Sequence, residues 1–508
     1  MTDTLAQRLR LDLTSAAYSV STLTALWGDE AEAALHRNQR VPALRQLARQ
    51  PATPAATLAR LFVLGSDVSR AEFDRAVPTL GIEGAEELEL VTAAGDRIRP
   101  LRDLRPYSFV DADGACSWWI VSDLGELARP GALAEDHVLG VGGASLSLAG
   151  LMVQRPVDSV LDIGTGCGIQ ALHASRHAQR VVATDISRRA LAMAQLNAEL
   201  NAVTNIEFRL GSLFEPVAGE WFDQIVSNPP FVITPRRPGV PAYEYRDGGL
   251  VGDEIVRSVI VGAARHLTLG GTVQMLANWE YHAGTSGRDR VGAWLREDAA
   301  GALDSWVIER EVQSPDEYAE TWIRDGGTRE GTERFDELYA AWLDDFEQRG
   351  VRSVGFGYVY LRRRDTASIP WNRHERLLSA QGQNEAGLGV HIAACVAAHD
   401  AQSHLTDEAL TGATLVVTGD ITFEQHYWPG SDDPTAIILR QGGGFGRSVP
   451  LDTALAALIG ACDGELAVGA IIGALSQLLD VDEPGLQRQL LPRVRDLVDD
   501  GILTLPGH

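Results

Sequence analysis

The chain has 508 residues, 45% of them hydrophobic and 22% charged, which predicts two to four globular domains. Its formal net charge of −25 argues against broad, non-specific adhesion to nucleic acid. All 44 basic residues are arginine, and the lack of lysine excludes a Schiff-base lysine and a P-loop.

Targeting and redox signals point to the cell interior. The N-terminal stretch MTDTLAQRLRLDL is polar, unlike a signal peptide, and the apolar run 467–475 is too short to cross a bilayer. The four cysteines lie far apart and form no CxxC pair, as is usual in a reducing compartment. We therefore expect a cytoplasmic protein without a membrane partner, and its oligomeric state stays open.

Residues 1–105 are predicted to form a mainly helical domain. Apolar residues recur at helical spacing in TLARLFVLG and AEFDRAVPTLG, and a glycine ends each stretch. The turn AAGDR then separates two extended pieces. Helices followed by a small hairpin resemble a winged-helix module, and a helical cap on the next domain is the alternative.

Residues 106–370 have the pattern of an α/β domain. Apolar runs such as SVLDIG, RVVATDI and FDQIVSN alternate with stretches of helix length. Each run ends at or near Gly, Asp or Asn, as buried parallel strands in βα units do. The alternating sequence RSVGFGYVYLRR predicts an antiparallel strand that closes the sheet.

A glycine-rich turn follows the first of these strands, in LDIGTGCGIQAL, residues 161–172. Its alternate glycines let the backbone turn tightly and approach a ligand, and the next helix offers free N–H groups. Asp185 ends the following strand, 23 residues after Asp162, where an acid can accept both ribose hydroxyls of a nucleoside. Together these features predict a nucleoside cofactor.

A second motif, VSNPPFVITP, follows a later strand at residues 226–235. The side-chain oxygen of Asn228 can accept one N–H of an amino or amide group, and the carbonyl of Pro229 can accept the other. Pro229 and Pro230 stiffen the backbone so that this carbonyl points inward. Phe231 offers a ring on which a planar amide or base can stack. Holding the two N–H groups in this way suits methyl transfer from adenosylmethionine, because it leaves the nitrogen lone pair free to lie along the S–CH3 axis.

Residues 371–508 are predicted to form an α+β domain that also resembles a winged helix. TLVVTGDITFEQHYW and TAIILRQ predict paired strands, three apolar stretches predict helices, and ILTL predicts a last strand. His391, Cys395 and His399 recur every four residues and would share one face of a helix. We expect core packing there, with a metal site as the alternative.

In their order and spacing, DIGTGCG, TDIS and NPPF resemble the Rossmann-like class I methyltransferases, in particular their small-domain N-methyltransferase branch. The resemblance covers roughly residues 135–280. That branch includes enzymes that methylate exocyclic amines of RNA or DNA bases and enzymes that methylate the glutamine of release factors. The resemblance implies an α/β Rossmann-like sheet and S-adenosyl-L-methionine as methyl donor. The patterns of the flanking residues add a mainly helical N-terminal domain and an α+β C-terminal domain to this fold.

The resemblance also implies the roles of individual residues. The cofactor would be bound by Asp162, Gly164, Thr165, Gly166, Gly168, Asp185, Ile186, Ser212, Leu213 and Asn228. The acceptor would be held by Asn228, Pro229, Pro230 and Phe231. Where the family often has an Asp for the adenine amino group, this chain has Ser212, so its hydroxyl or the backbone near Leu213 would serve. The segment 138–152 resembles the family's cofactor-covering segment.

Three further segments carry weaker signals. A local basic strip that a nucleic acid could contact consists of Arg362, Arg363, Arg364, Arg373 and Arg376. Residues 243–254 resemble the Gly-rich stretch after NPPY in release-factor methyltransferases, and an ordinary loop is the alternative. The acidic segment 315–331 is predicted to be a solvated helical insertion, with a lid over the acceptor site as the alternative.

We therefore predict an adenosylmethionine-dependent N-methyltransferase with a macromolecular acceptor. A base amine of RNA fits the basic strip, a protein glutamine fits the overall acidity, and DNA or a small molecule stays open. An NAD-dependent dehydrogenase is an alternative, because Gly166 to Ala171 satisfies G-x-G-x-x-A, but it leaves Asn228 to Phe231 without a role. A non-catalytic binding protein is a third hypothesis, against which the intact motifs argue.

Overall fold

The computed structural model describes residues 4–111, 114–128, 133–297, 303–365 and 369–506. The chain divides into two compact units, one of residues 1–149 and 155–376 and the other of residues 150–154 and 377–508. Among the described residues, no helix has the length and apolarity needed to span a membrane.

The N-terminal part of the first unit is mostly helical, as predicted. Its helices are α1 (Leu5–Ser15), α2 (Val20–Leu35), α3 (Val41–Leu47), α4 (Pro54–Leu58), α5 (Arg70–Ala76) and α6 (Gly81–Glu87). Thr4 and Ser69 begin α1 and α5 with capping boxes, which satisfy free N–H groups of the first turn. The small antiparallel sheet beside them has the order β1-β3-β2, with β1 (Val68–Ser69), β2 (Val91–Ala94) and β3 (Arg97–Pro100). The winged-helix interpretation stays a prediction.

A long antiparallel pair, β4 (Arg102–Asp111) and β5 (Gly114–Asp123), follows and leads into the large sheet. The large sheet consists of β6 (Val157–Ile163), β7 (Ala178–Asp185), β8 (Ile206–Leu210), β9 (Phe222–Ser227), β10 (Leu267–His282), β11 (Leu303–Gln313), β12 (Val351–Arg363) and β13 (Asn372–Arg376). The helices between these strands are α7 (Gly143–Leu151), α8 (Ile169–Ala174), α9 (Arg188–Leu200), α10 (Glu254–Ala263), α11 (Gly287–Glu297), α12 (Pro315–Asp325) and α13 (Glu333–Arg349).

The strand order of this sheet is β13-β11-β12-β10-β9-β6-β7-β8. The strands from β8 to β10 pair in parallel, whereas β12 pairs antiparallel with both β10 and β11. The predicted α/β fold is therefore confirmed. The predicted strand β12 is antiparallel, but it lies inside the sheet between β10 and β11 and does not close it. Since the chain winds outward from β6 to β8 and then returns to β9, the order reverses between β6 and β9. Ligands of open α/β sheets bind at such a point, outside the carboxyl ends of the strands.

A buried asparagine of α9 connects strand β5 to the loop after β6. Asn197 of α9 accepts the N–H of Val121 at 2.8 Å and donates to the Val121 carbonyl at 2.9 Å. Its amide also donates to the Cys167 carbonyl, in the loop after β6, at 2.8 Å. Because Asn197 is fully buried, these bonds fix that loop against both elements.

The second unit contains helices and two small antiparallel sheets. Its elements are α14 (Leu388–Ser403), α15 (Asp407–Gly412), β14 (Thr414–Val417), β15 (Ile421–His426), β16 (Ala436–Gln441), β17 (Ser448–Leu451), α16 (Thr453–Gly460), β18 (Asp463–Ala467), α17 (Val468–Leu479), α18 (Glu483–Asp499) and β19 (Leu503–Thr504). The sheet orders are β18-β14-β19 and β15-β16-β17, so the predicted strand pair is present.

The predicted histidine and cysteine group lies on α14. The Sγ atom of Cys395 is 3.4 Å from His391 Nε2, whereas His399 Nδ1 lies 3.1 Å from a carboxylate oxygen of Asp499. In the part of the chain that the structure describes, no group of three or more His, Cys, Asp or Glu could hold a metal ion.

Candidate active site

A cleft lies at the point where the strand order reverses. It holds about 1150 Å³ of empty space, including its opening to solvent. Ten of the residues predicted for the site line it, namely Gly164, Thr165, Gly166, Asp185, Ile186, Ser212, Leu213, Asn228, Pro229 and Pro230. The structure therefore brings both sequence motifs to one cavity, although they are about sixty residues apart.

The glycine loop, residues 164–168, connects β6 to α8. Gly164 and Gly166 have φ of 72° and 55°, and no described atom lies within 4 Å of where their Cβ atoms would stand. Gly168 has φ of 87°, and a Cβ there would come 2.9 Å from the Cβ of Ala194 on α9. The first two glycines thus leave room in the cleft, whereas Gly168 lies outside its lining and lets α8 pack closely on α9.

Asp162 supports the glycine loop from the interior. It is fully buried, lies outside the cleft lining, and accepts a hydrogen bond from Thr165 Oγ1 at 2.6 Å. Burial raises the pKa of Asp162 to about 7, and the Thr165 hydroxyl opposes that rise. Asp162 therefore positions the loop, and Thr165 is the member of the pair that reaches the cleft.

Asp185 stands at the end of β7 and connects two neighbouring loops. One carboxylate oxygen accepts the N–H of Gly166 at 3.0 Å, and the other accepts the N–H of Ser187 at 2.9 Å. Burial raises the pKa of Asp185, and these backbone N–H groups act against that rise. After β8, Ser212 and Leu213 complete this side, with Leu213 at φ of 47°. We call this side, from the glycine loop to Leu213, the cofactor half of the cleft.

The acceptor turn, residues 228–231, follows β9. The Oδ1 atom of Asn228 is buried and has no hydrogen-bond partner among the described residues. The carbonyl of Pro229 accepts the N–H of Phe231 at 2.7 Å, which closes a tight turn and leaves one lone pair of that oxygen. An unpaired buried acceptor is destabilising by about 1–3 kcal/mol, so a group that donates to Asn228 would bind favourably.

Phe231 does not line the cleft. Its ring packs edge-on against Trp322 and Phe356, with centroids 6.4 Å away in each case. The aromatic ring that lines the cleft beside the acceptor turn belongs to Tyr245. Tyr245 lies in the stretch 243–254 that the sequence analysis singled out. We call the acceptor turn together with Tyr245 the acceptor half of the cleft.

His137 also lines the cleft and was not predicted from the sequence. Its ring lies edge-on to Tyr245 at 5.7 Å, and its Nδ1 is 3.8 Å from Asp123 at the end of β5. Burial lowers the pKa of His137, although the Asp123 carboxylate opposes that change. No local sequence pattern marks this residue, because the contacts come from β5 and from the loop after the acceptor turn. Leu139, Gly140 and Ser145, in the predicted covering segment, line the cleft as well.

The predicted basic strip lies on β12 and β13 and in the residues between them. Three of its arginines form ion pairs with acids of the same unit. Arg362 is 2.7 Å from Asp304, Arg373 is 3.0 Å from Glu375, and Arg376 is 2.5 Å from Glu309. Arg363 donates to a carbonyl, and Arg364 lies 3.7 Å from Asp304. Four of these five arginines therefore contact an acid of the same unit, with Arg362 and Arg364 sharing Asp304.

Comparisons with known proteins agree with this geometry. Residues 129–286 match the model of the methyltransferase small domain, and residues 15–101 match a domain of unknown function (DUF7059). The chain is 42% identical over 123 residues to a release factor glutamine methyltransferase of Geobacter sulfurreducens, which is 22% of this chain and 43% of the relative.

Two other relatives have different acceptors in their names. A ribosomal protein uL3 glutamine methyltransferase of Bradyrhizobium diazoefficiens is 33% identical over 153 residues, 28% of this chain and 46% of the relative. The ribosomal RNA small subunit methyltransferase C of Escherichia coli is 29% identical over 170 residues, 33% of this chain and 44% of the relative. The matches span less than half the length of each relative. The resemblance inferred from the sequence is confirmed, since residues 129–286 match the methyltransferase small-domain model and the relatives are methyltransferases.

Proposed function

We propose that this chain is an adenosylmethionine-dependent N-methyltransferase that acts on an amino or amide nitrogen of a macromolecule. The observation that carries the proposal is the unpaired, buried Oδ1 of Asn228 in the same cleft as the glycine loop. A dehydrogenase would need the glycine loop but gives no role to a rigid hydrogen-bond acceptor after β9.

The residues of the cofactor half fit S-adenosyl-L-methionine. Gly164 and Gly166 leave open space in the cleft that a Cβ atom at either position would begin to fill. These two residues would face the methionine end of the cofactor. Asp185 would accept the ribose hydroxyls, while Ser212, Leu213 and Ile186 would flank the adenine. When bound, the cofactor supplies an activated methyl group on a sulfonium. Each of these residues contributes binding and orientation.

Catalysis would rest on how the acceptor half orients the nitrogen. Asn228 Oδ1 would accept one N–H of the acceptor, and the remaining lone pair on the Pro229 carbonyl oxygen would accept the other. With both hydrogens held, the nitrogen lone pair is directed at the methyl carbon in an in-line geometry. Positioning of this kind contributes most of the rate enhancement and needs little acid–base assistance.

Among macromolecular acceptors, a protein amide is the better candidate. Residues 301–350 contain 14 acids against 5 arginines, and four of the five arginines of the basic strip contact acids. A nucleic acid that docked on this strip would compete with these acids for the arginines, which weakens phosphate binding. The acceptors named for the relatives are translation components, which would place this protein in the cytoplasm.

The test uses tritiated adenosylmethionine and a lysate from a strain that lacks the protein. The lysate is labelled by the purified enzyme, and portions are then treated with nuclease or with protease. Label that survives nuclease and is lost with protease supports a protein acceptor. Label that survives protease and is lost with nuclease would make it a nucleic-acid methyltransferase. No label in any fraction would overturn a macromolecular acceptor.

The competing dehydrogenase is tested by ligand-induced stabilisation. Adenosylhomocysteine should raise the Tm of the purified protein, because it binds only the folded state. Stabilisation by NAD but not by adenosylhomocysteine would overturn the proposal.

A further inference from the structure

The acidic insertion between β11 and β12 has one buried face. Its first helix, α12, begins at a capping box formed by Ser314 and Glu317, while Tyr318, Ala319 and Ile323 are buried. Asp316 and Glu317 are exposed. Since Tyr318, Trp322 and Asp325 are spaced by four and three residues, they lie along one side of the helix.

Tyr318 contacts the chain just after the acceptor turn. It is fully buried, and its hydroxyl oxygen accepts the N–H of Ile233 at 2.9 Å and an N–H of Asn278 at 3.1 Å. The Asn278 side chain, buried on β10, also donates to the Phe231 carbonyl at 2.9 Å. Tyr318 and Asn278 thus fix the backbone of the acceptor turn at its end.

Asp325, at the end of the same helix, contacts the other segment of the acceptor half. Its carboxylate accepts the Tyr245 hydroxyl at 2.8 Å and Arg246 Nη1 at 2.6 Å. The Trp322 carbonyl accepts from the same Arg246 nitrogen at 2.7 Å. The guanidinium lies over the rings of Tyr243, Tyr245 and Trp322, which completes the attachment.

We propose that α12 is the positioning element of the acceptor half, with Tyr318 and Asp325 as positioning residues for methyl transfer. Tyr318 sets the acceptor turn that carries Asn228, and Asp325 sets Tyr245. The inference rests on the proposed function, because it assigns these residues to the acceptor step of that reaction. The buried contacts make α12 a fixed support for the site, in contrast to a mobile lid.

The first test is Tyr318→Phe, which removes the hydroxyl and keeps the ring. We expect the maximal rate of tritium transfer to the labelled lysate fraction to fall about tenfold, because a small displacement of the acceptor turn misaligns the nitrogen. KM for adenosylmethionine and Kd for adenosylhomocysteine should stay at wild-type values. The matched control is Tyr339→Phe on α13, whose hydroxyl donates to Glu320 at 3.4 Å, away from the acceptor turn.

The second test, Asp325→Asn, guards against a folding defect, because the Asp325 side chain is 44% exposed. We expect a loss of about threefold to tenfold in the same maximal rate, with the affinity for adenosylhomocysteine unchanged. The control is Asp316→Asn, on the exposed side of the same helix. Asp325→Glu, which keeps the carboxylate, should recover part of the rate.

The outcomes separate this inference from the proposed function. Wild-type transfer rates in both Tyr318→Phe and Asp325→Asn would overturn the positioning role while leaving the methyltransferase intact. Equal losses of rate and of adenosylhomocysteine affinity would also overturn it, since they indicate a general structural role. If wild-type protein transfers no label, it is the proposed function that fails.

Discussion

The two halves of the cleft are built in different ways. In the cofactor half, the bonds from Thr165 to Asp162 and from Gly166 to Asp185 join residues 3 and 19 positions apart. In the acceptor half, the bond from Ile233 to Tyr318 joins residues 85 positions apart, and that from Tyr245 to Asp325 joins residues 80 apart. The cofactor half is thus specified by one strand–loop–helix–strand stretch, whereas the acceptor half depends on an insertion far along the chain.

This difference indicates which sequence changes should affect only one half of the cleft. A short contiguous motif forms the same geometry whenever its strands pair, because the contacts are local. An insertion after β11 can change how the acceptor is held without touching the glycine loop. Changes in the two halves should therefore separate cleanly into effects on cofactor affinity and effects on transfer rate.

The largest effect is expected from Asn228→Ala. Loss of the side-chain oxygen leaves one N–H of the acceptor unheld, so the rate of tritium transfer should fall about a hundredfold or more. The Kd for adenosylhomocysteine, measured by calorimetry, should remain near the wild-type value. Gln195→Ala, on the exposed side of α9, is the control. Equal activity in wild type and Asn228→Ala would remove this residue from the site.

In contrast to Asn228→Ala, the substitution Gly164→Ala is expected to weaken the binding of adenosylhomocysteine. An alanine at φ of 72° is strained by about 1–2 kcal/mol, and its Cβ would occupy space in the cofactor half. Adenosylhomocysteine should bind about tenfold more weakly. In the control, Gly95→Ala, φ is 66° and no described atom crowds the Cβ position, so Tm should fall without loss of affinity. An unchanged Kd in Gly164→Ala would contradict the assigned role.

A smaller effect concerns the pH dependence of the cofactor half. The pKa of Asp162 is about 7 in the folded protein and about 4 in an unfolded chain, so between these values only the folded state holds the proton. The free energy of unfolding should therefore decrease as pH rises through this window, by about 1 kcal/mol between pH 6 and 7. In Asp162→Asn, where position 162 has no carboxyl group to titrate, this part of the pH-dependent decrease in unfolding free energy should vanish.

The measurement is denaturant unfolding of wild type and Asp162→Asn at a series of pH values. The difference in unfolding free energy between the two should grow as pH rises toward the pKa of about 7 and level off above it. Asp158→Asn, an exposed carboxylate on β6, should follow the wild-type curve. Parallel curves for wild type and Asp162→Asn would show that Asp162 titrates normally.

The smallest effect is expected from Arg373→Gln in the basic strip. Arg373 already pairs with Glu375 and lies over the Trp306 ring, so transfer should change less than about twofold. Transfer is measured at low and moderate salt with the same lysate fraction. A large loss at low salt that becomes smaller at moderate salt would restore the strip as a nucleic-acid footprint and would weaken the case for a protein acceptor.

Local sequence patterns predict the parts of the cleft that short segments form. The glycine loop, Asp185 and Asn228 reach one cleft because each follows a strand at the same edge of a parallel sheet. Local patterns do not predict a side-chain direction that depends on packing. Phe231 belongs to the expected motif, yet its ring faces Trp322 and Phe356, which come from distant elements.

The α/β fold and the methyltransferase motifs can be predicted from the sequence alone, because strand periodicity and glycine spacing are properties of short segments. Only the tertiary structure decided that Tyr245 and His137 line the cleft and that Tyr318 and Asp325 reach the acceptor half. It also decided that four of the five arginines of the basic strip contact acids. These features arise when residues tens of positions apart are brought together by packing, and no local pattern encodes that partner choice.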